Sequence, residues 1–352
     1  MTITDQPRSP QTDDRIDPRL LAALAAVGLD GPAAPAPFGR DAGDDDVDAF
    51  VAGIDEGFNA LYDALPIDLP DDVAVETTAE TITGVDGNEL TVRVYRRADL
   101  TGEAPAVMYI HGGGMTILRT DTPVHNRWCE ALAAAGVVAV QADFRNAWSA
   151  SGRSPFPAGL DDCATCLDWT HDHRDDLGIG KLVVQGESGG GNLTLATTLK
   201  AAREDRIDRI DGVYASVPYI SGGYGWSAER RRAELPSLVD NDGLFLDCTM
   251  LDLMVAVYQP AADDAENPLC WPYFATVDEL RGLPPHVISV NELDPLRDEG
   301  IAYYRKLLAA GVEVTGRMNL GIVHGAELIF RQAIPDVHRA AIADIASFAR
   351  RC

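Results

Sequence analysis

The sequence predicts an α/β protein: a mostly parallel, doubly wound sheet flanked by helices, with a small helical cap. Short apolar runs alternate with stretches of helical periodicity from residue 106 onward, the pattern of parallel strands joined by crossovers. The segment Lys181 to Leu193 (KLVVQGESGGGNL) reads as a strand, a sharp turn and a helix start. A second apolar strand, Ala106 to Ile110, runs straight into His111-Gly112-Gly113-Gly114. With 352 residues, 46% of them hydrophobic, the chain is long enough to bury such a core.

The first twenty residues (MTITDQPRSPQTDDRIDPRL) are polar and lack the basic start and apolar centre of a signal peptide. Disorder over the first dozen residues and a cytoplasmic location are expected. Two amphipathic stretches follow, Pro18 to Leu29 and Val47 to Leu65, separated by the Pro/Ala segment Gly31 to Phe38. The acidic run Asp41 to Asp48 lacks the Gly and Glu placement of a calcium loop and reads as a solvated linker. Residues 1–75 are therefore assigned to an N-terminal segment with cap helices, and 76–352 to the α/β domain. No apolar run is long enough to span a bilayer, and no repeat occurs at solenoid periods. A net charge of −26 argues against nucleic acid and anionic membranes as partners, and disfavours anionic substrates.

Within the second region, three consecutive glycines let backbone amides approach a ligand without obstruction by side chains. His111 reads as a loop anchor bonded to backbone. Strand Val137 to Phe144 precedes a helical pattern from Gly159 to His171. That helix carries Cys163 and Cys166, whose CxxC spacing has no second ligand pair, so core-facing positions are expected rather than a metal or redox site. After strand Leu182 to Gln185, Gly186-Glu187-Ser188-Gly189-Gly190 fits a nucleophile elbow, in which a tight turn lifts the serine hydroxyl off the sheet. The stretch Asn192 to Arg203 continues as an amphipathic helix, and Gly212 to Val217 reads as the next strand.

A serine nucleophile needs a base and an orienting acid, on loops beyond later strands. Strand His286 to Val290 leads to Asn291-Glu292-Leu293-Asp294-Pro295-Leu296-Arg297-Asp298, where the proline restricts the backbone of Asp294. Strand Val312 to Asn319 leads to Gly321-Ile322-Val323-His324-Gly325. Of seven histidines, His125, His171, His173 and His338 fall in helical patterns and are expected to face solvent or cap turns. His286 precedes the acid, which leaves His324 as the base. Glu292 and Asp298 stay open as rival acids.

The motifs HGGG, GESGGGNL, DPLRDEG and a late His-Gly, in this order, resemble the bacterial hormone-sensitive-lipase-like carboxylesterases of the α/β-hydrolase fold, closest to the brefeldin A esterase type. The resemblance runs from about Val92 to the C-terminus. It implies Ser188 as nucleophile, His324 as base and Asp294 as its orienting acid. It also implies an oxyanion hole from the amides of Gly113, Gly114 and Gly189, with Gly112 a lesser donor. The commoner family elbow is GDSAGG; here Glu187 stands for Asp and Gly189 for Ala. Glu187 is then a structural acid behind the elbow.

Such a site hydrolyses carboxylic esters through an acyl-enzyme, with no metal and no organic cofactor. In the resembled family N-terminal helices help cover the site, which makes Phe50, Phe58 and Tyr62 candidates for the lid's inner face, with packing of the cap onto the core as the alternative role. The loop Pro218 to Trp226, with Tyr219, Tyr224 and Trp226, is a second expected wall, and the insert 218–274 completes a lid. The expected substrates are short-chain or bulky esters, lactones among them. An amidase or peptidase on the same scaffold, and a non-catalytic receptor, are the alternatives. Homo-oligomerisation stays open.

Overall fold

The computed structural model describes residues 8–68 and 73–352. Eight strands form one sheet: β1 (Val75–Thr83), β2 (Glu89–Arg97), β3 (Ala104–Ile110), β4 (Val138–Asp143), β5 (Ile179–Glu187), β6 (Gly212–Ser216), β7 (His286–Asn291) and β8 (Val314–Asn319). Their order is β1-β2-β4-β3-β5-β6-β7-β8. The pairs β1/β2 and β2/β4 are antiparallel, and all others are parallel.

The central strands are buried on both faces because helices cover both, so β3 and β5 read as near-continuous apolar runs. The antiparallel hairpin β1–β2 has no counterpart in the sequence reading. Its outer strand, VETTAETIT, is almost wholly exposed and presents no apolar run or alternation to detect. The amphipathic helix expected over Asn192 to Arg203 spans Gly189–Arg203, and nearly all of it is buried, packed against β5, β6 and helix Ala158–Asp172. Cys163 and Cys166 lie in the core on helix Ala158–Asp172.

Helices Pro18–Ala26 and Asp44–Ala64 precede the sheet, and three more, Ala228–Glu234, Ser237–Asp240 and Cys248–Tyr258, lie between β6 and β7. The acidic run corrects the linker expectation: Asp44, Asp45 and Asp46 form the first turn of a 21-residue helix. Carboxylates there complement the positive end of the helix dipole, so the charge favours helix rather than opposing it. The expected disorder over the first dozen residues falls on residues 1–7, outside the described residues, and is corrected beyond them. Ser9 and Pro10 are buried, and Pro10–Thr12 forms a short 3-10 turn. Among the described residues no helix is long and apolar enough to cross a membrane.

Candidate active site

Ser188 follows β5 at φ 56 and ψ −120, a conformation that non-glycine residues avoid, and opens helix Gly189–Arg203. The turn is closed so tightly that a Cβ on Gly190 would stand 2.6 Å from the carbonyl oxygen of His111. A Cβ on Gly189 would lie 2.7 Å from the nitrogen and Cα of Gly114. Glycine at both positions therefore lets the elbow and the glycine loop pack backbone against backbone.

That loop is held from beneath. Glu187 Oε1 accepts hydrogen bonds from the Gly112 amide at 2.7 Å and the Tyr109 hydroxyl at 3.0 Å. Burial pushes the Glu187 carboxyl up to about 8, so it is largely protonated at neutral pH. The Gly112 amide is thereby occupied. Among the described residues no protein acceptor is paired with the amides of Gly113, Gly114 or Gly189. His111 is sandwiched between the rings of His125 and Phe144, at 4.9 and 4.5 Å, with Nδ1 2.7 Å from the Gly112 oxygen. Burial pulls it down to about 4, so it stays neutral.

His324 Nδ1 lies 2.8 Å from Asp294 Oδ2. Asp294 is fully buried, and its Oδ1 accepts from the Leu296 amide at 2.9 Å. A carboxylate acceptor at Nδ1 places the ring proton there and leaves Nε2 as the free lone pair. The rival acids are engaged elsewhere. Glu292 Oε2 accepts from the Gly321 amide at 2.8 Å, while Asp298 takes the Ser237 amide at 2.7 Å and pairs with Arg297.

Two of the histidines expected at the surface are buried instead. His125 contacts the Arg119 carbonyl at 3.0 Å and His338 the Glu327 carbonyl at 2.9 Å. Their helices pack that face inward, and desolvation lowers the pKa of both rings. His173 bonds the Trp169 carbonyl at the end of its helix.

Ser188 and His324 line one cavity with Gly112, Gly113 and Gly114. Its water-accessible space is about 60 Å³, and it is walled chiefly by apolar side chains. Phe58 and Tyr62 come from helix Asp44–Ala64, and Tyr219 from the loop after β6. Phe245, Leu246, Met250, Leu251 and Met254 come from the insert. Sequence reasoning missed those five: a helix as apolar as Cys248–Tyr258 does not reveal that Met250, Leu251 and Met254 meet a cavity, and Phe245 and Leu246 lie in the irregular segment before it.

Three expected wall residues lie outside the lining. Phe50 packs edge-on against Phe38, two helical turns, or about 12 Å, before Phe58 on the same helix. Tyr224 is buried behind Tyr219, with rings stacked at 4.5 Å and its hydroxyl 2.8 Å from Glu299. Trp226 lies under the Arg230 guanidinium at 3.5 Å and edges onto Tyr273 and Phe274. Among the described residues no group of three or more His, Cys, Asp or Glu is arranged to hold a metal ion.

Residues 107–328 match a family model described as the alpha/beta hydrolase fold. A solved brefeldin A esterase, described as a bacterial homologue of human hormone-sensitive lipase, superposes with a TM-score of 0.96. It is 55% identical, and the match covers 97% of this chain and 95% of that one. Esterase Est22 gives a TM-score of 0.85 at 35% identity, covering 97% and 99%. Carboxylesterase NlhH of Mycobacterium tuberculosis is 32% identical over 251 residues, 70% of this chain and 74% of the relative. With the strand–elbow–helix geometry and these likenesses together, the chain belongs to the alpha/beta hydrolase fold family, among its hormone-sensitive-lipase-like carboxylesterases.

Proposed function

We propose that this carboxylesterase works through Ser188, His324 and Asp294, with the amides of Gly113, Gly114 and Gly189 as its oxyanion hole. The observation that carries the reading is the 2.8 Å contact between His324 and the buried Asp294, with His324 on the wall of the cavity that Ser188 also lines. Ser188 Oγ attacks the ester carbonyl as His324 Nε2 takes its proton. Asp294 holds the tautomer and stabilises the imidazolium, and the three amides bind the tetrahedral oxyanion. Collapse expels the alcohol, protonated by His324. Water, deprotonated by the same ring, then releases the acid and restores Ser188.

The substrates are neutral esters with apolar groups of modest bulk. The cavity is small, with about 60 Å³ of water-accessible space, and its lining is chiefly apolar and contains no Lys or Arg to pair with a second carboxylate. The cap is assigned to residues 1–75 and the insert 218–274, a division supported by the wall residues each contributes. Lactones are included because the 55% identical neighbour is named for brefeldin A.

The test is hydrolysis of p-nitrophenyl butyrate beside Ser188→Ala, His324→Ala and Asp294→Asn. Turnover abolished by the first two, and reduced about 10³- to 10⁴-fold by the third, is expected. Equal rates in wild type and Ser188→Ala would remove the serine from the mechanism.

A further inference from the structure

The loops bearing Asp294 and His324 leave neighbouring strands, and one side chain ties them together. Asn291 ends β7 and lies in register with Asn319 at the end of β8. It is fully buried. Its Nδ2 donates to the Val323 carbonyl at 2.8 Å and to Glu327 Oε2 at 2.8 Å. Its Oδ1 accepts from Asn319 Nδ2 at 2.8 Å. A backbone carbonyl only accepts, so Val323 fixes which side of the amide carries nitrogen. Both amide hydrogens and the oxygen are thereby used.

The positions held are telling. Val323 immediately precedes His324, and Glu327 lies three residues beyond it. On the other side, the Asn291 carbonyl accepts from the Asp294 amide at 3.4 Å. Apart from the Asp294–His324 contact itself, the other links between the two loops reach only the start of the histidine loop. Glu292 N donates to Asn319 O at 3.0 Å, Leu293 N donates to Ile322 O at 3.0 Å, and Gly321 N donates to Glu292. Among the described residues, Asn291 is the side chain from the acid's strand that grips the base's loop on both flanks of His324.

We propose that Asn291 is a positioning residue that sets the spacing of His324 and Asp294. The proposal rests on the reading of these two as base and acid. Asn291 is outside the cavity lining, so it acts on the step that needs the imidazole rather than on substrate binding. Asp at this position would turn acceptor oxygens toward two acceptors, whereas an apolar residue would leave Val323 O and Glu327 Oε2 buried without that donor.

The experiment is steady-state hydrolysis of p-nitrophenyl butyrate, with thermal melting as the check of folding. The proteins are Asn291→Ala, Asn291→Asp, Asn319→Ala, and Asn291→Asp combined with Glu327→Gln. Folded Asn291→Ala should lose about 10- to 100-fold in kcat, with KM within about twofold of wild type. Asn291→Asp should fall at least as far. Adding Glu327→Gln returns a donor to that pair and should recover part of kcat. If Asn291→Ala does not fold, Asn319→Ala removes one of the three bonds and should show a smaller drop, again in kcat. Wild-type kcat in the folded variant, a loss confined to KM, or no recovery in the double variant would overturn the proposal. His324→Ala in parallel separates the two ideas: full activity there would sink the base assignment itself.

Discussion

The Gly112 amide donates to Glu187 Oε1 at 2.7 Å, so the residue before the proposed nucleophile fastens the glycine loop that faces it. The elbow and the loop are thus one unit built from β3, β5 and the helix that follows. The bond also explains why the first glycine of the loop is not among the free donors.

Glu187→Gln tests the charge state of this fastening. Burial raises the folded carboxyl from 4.5 to about 8, so between those values the folded protein holds a proton that the unfolded chain has lost. The stability linked to this group is fully present below pH 4.5, declines as pH rises, and levels off above about 8. Glutamine keeps an acceptor for Gly112 without the ionisation. Melting temperatures measured from pH 5 to 9 should therefore fall less steeply with pH in the variant.

Gly189→Ala should damage turnover more than binding. The added Cβ meets the backbone of Gly114 and Met115, which cannot rotate away as a side chain would. Separating the loop from the elbow misplaces the proposed oxyanion donors, at an expected loss of about 10- to 100-fold in kcat. Steady-state kinetics on p-nitrophenyl butyrate checks this; an unchanged kcat would mean the loop tolerates the shift.

Asp55→Ala should loosen the N-terminal helix. Asp55 Oδ1 accepts from the Leu118 amide at 2.7 Å, and Asn59 Oδ1 takes the next amide, Arg119, at 3.1 Å. Leaving the Leu118 amide unpaired costs about 1–3 kcal/mol. Because the same helix carries Phe58 and Tyr62 on the cavity wall, KM should rise along with the loss of stability. Denaturant melts and KM values read the two effects separately.

Met254→Ala should widen the cavity beside the glycine loop, since the Met254 methyl lies where a Gly114 side chain would begin. Removing a buried methionine costs about 2–5 kcal/mol of stability. The ratio of kcat/KM for p-nitrophenyl octanoate to that for the butyrate should rise. A fall in both by the same factor would place Met254 in support of the fold alone.

The α/β class, the elbow and the glycine loop are legible in the chain of residues because they are local. A strand ending in GESGG, or in HGGG, has few conformations, and its glycines mark where backbones meet. The sequence also marked Asp294 and His324 as loop residues after late strands. Tertiary structure decided everything that depends on which distant segments touch. Strand β1 gave no apolar signal because it faces water, whereas β2 alternates Leu90, Val92 and Val94 inward, a signal that the sequence reading did not use. Phe50 and Phe58 share one face of one helix, yet where that helix docks puts Phe58 on the cavity and Phe50, two turns earlier, against Phe38. Tyr224 and Trp226 looked like pocket residues until Glu299, Tyr219 and Arg230 were seen to hold them. Asn291 carried no mark at all, since its partners lie 28 to 36 residues away and meet it only when β8 pairs with β7.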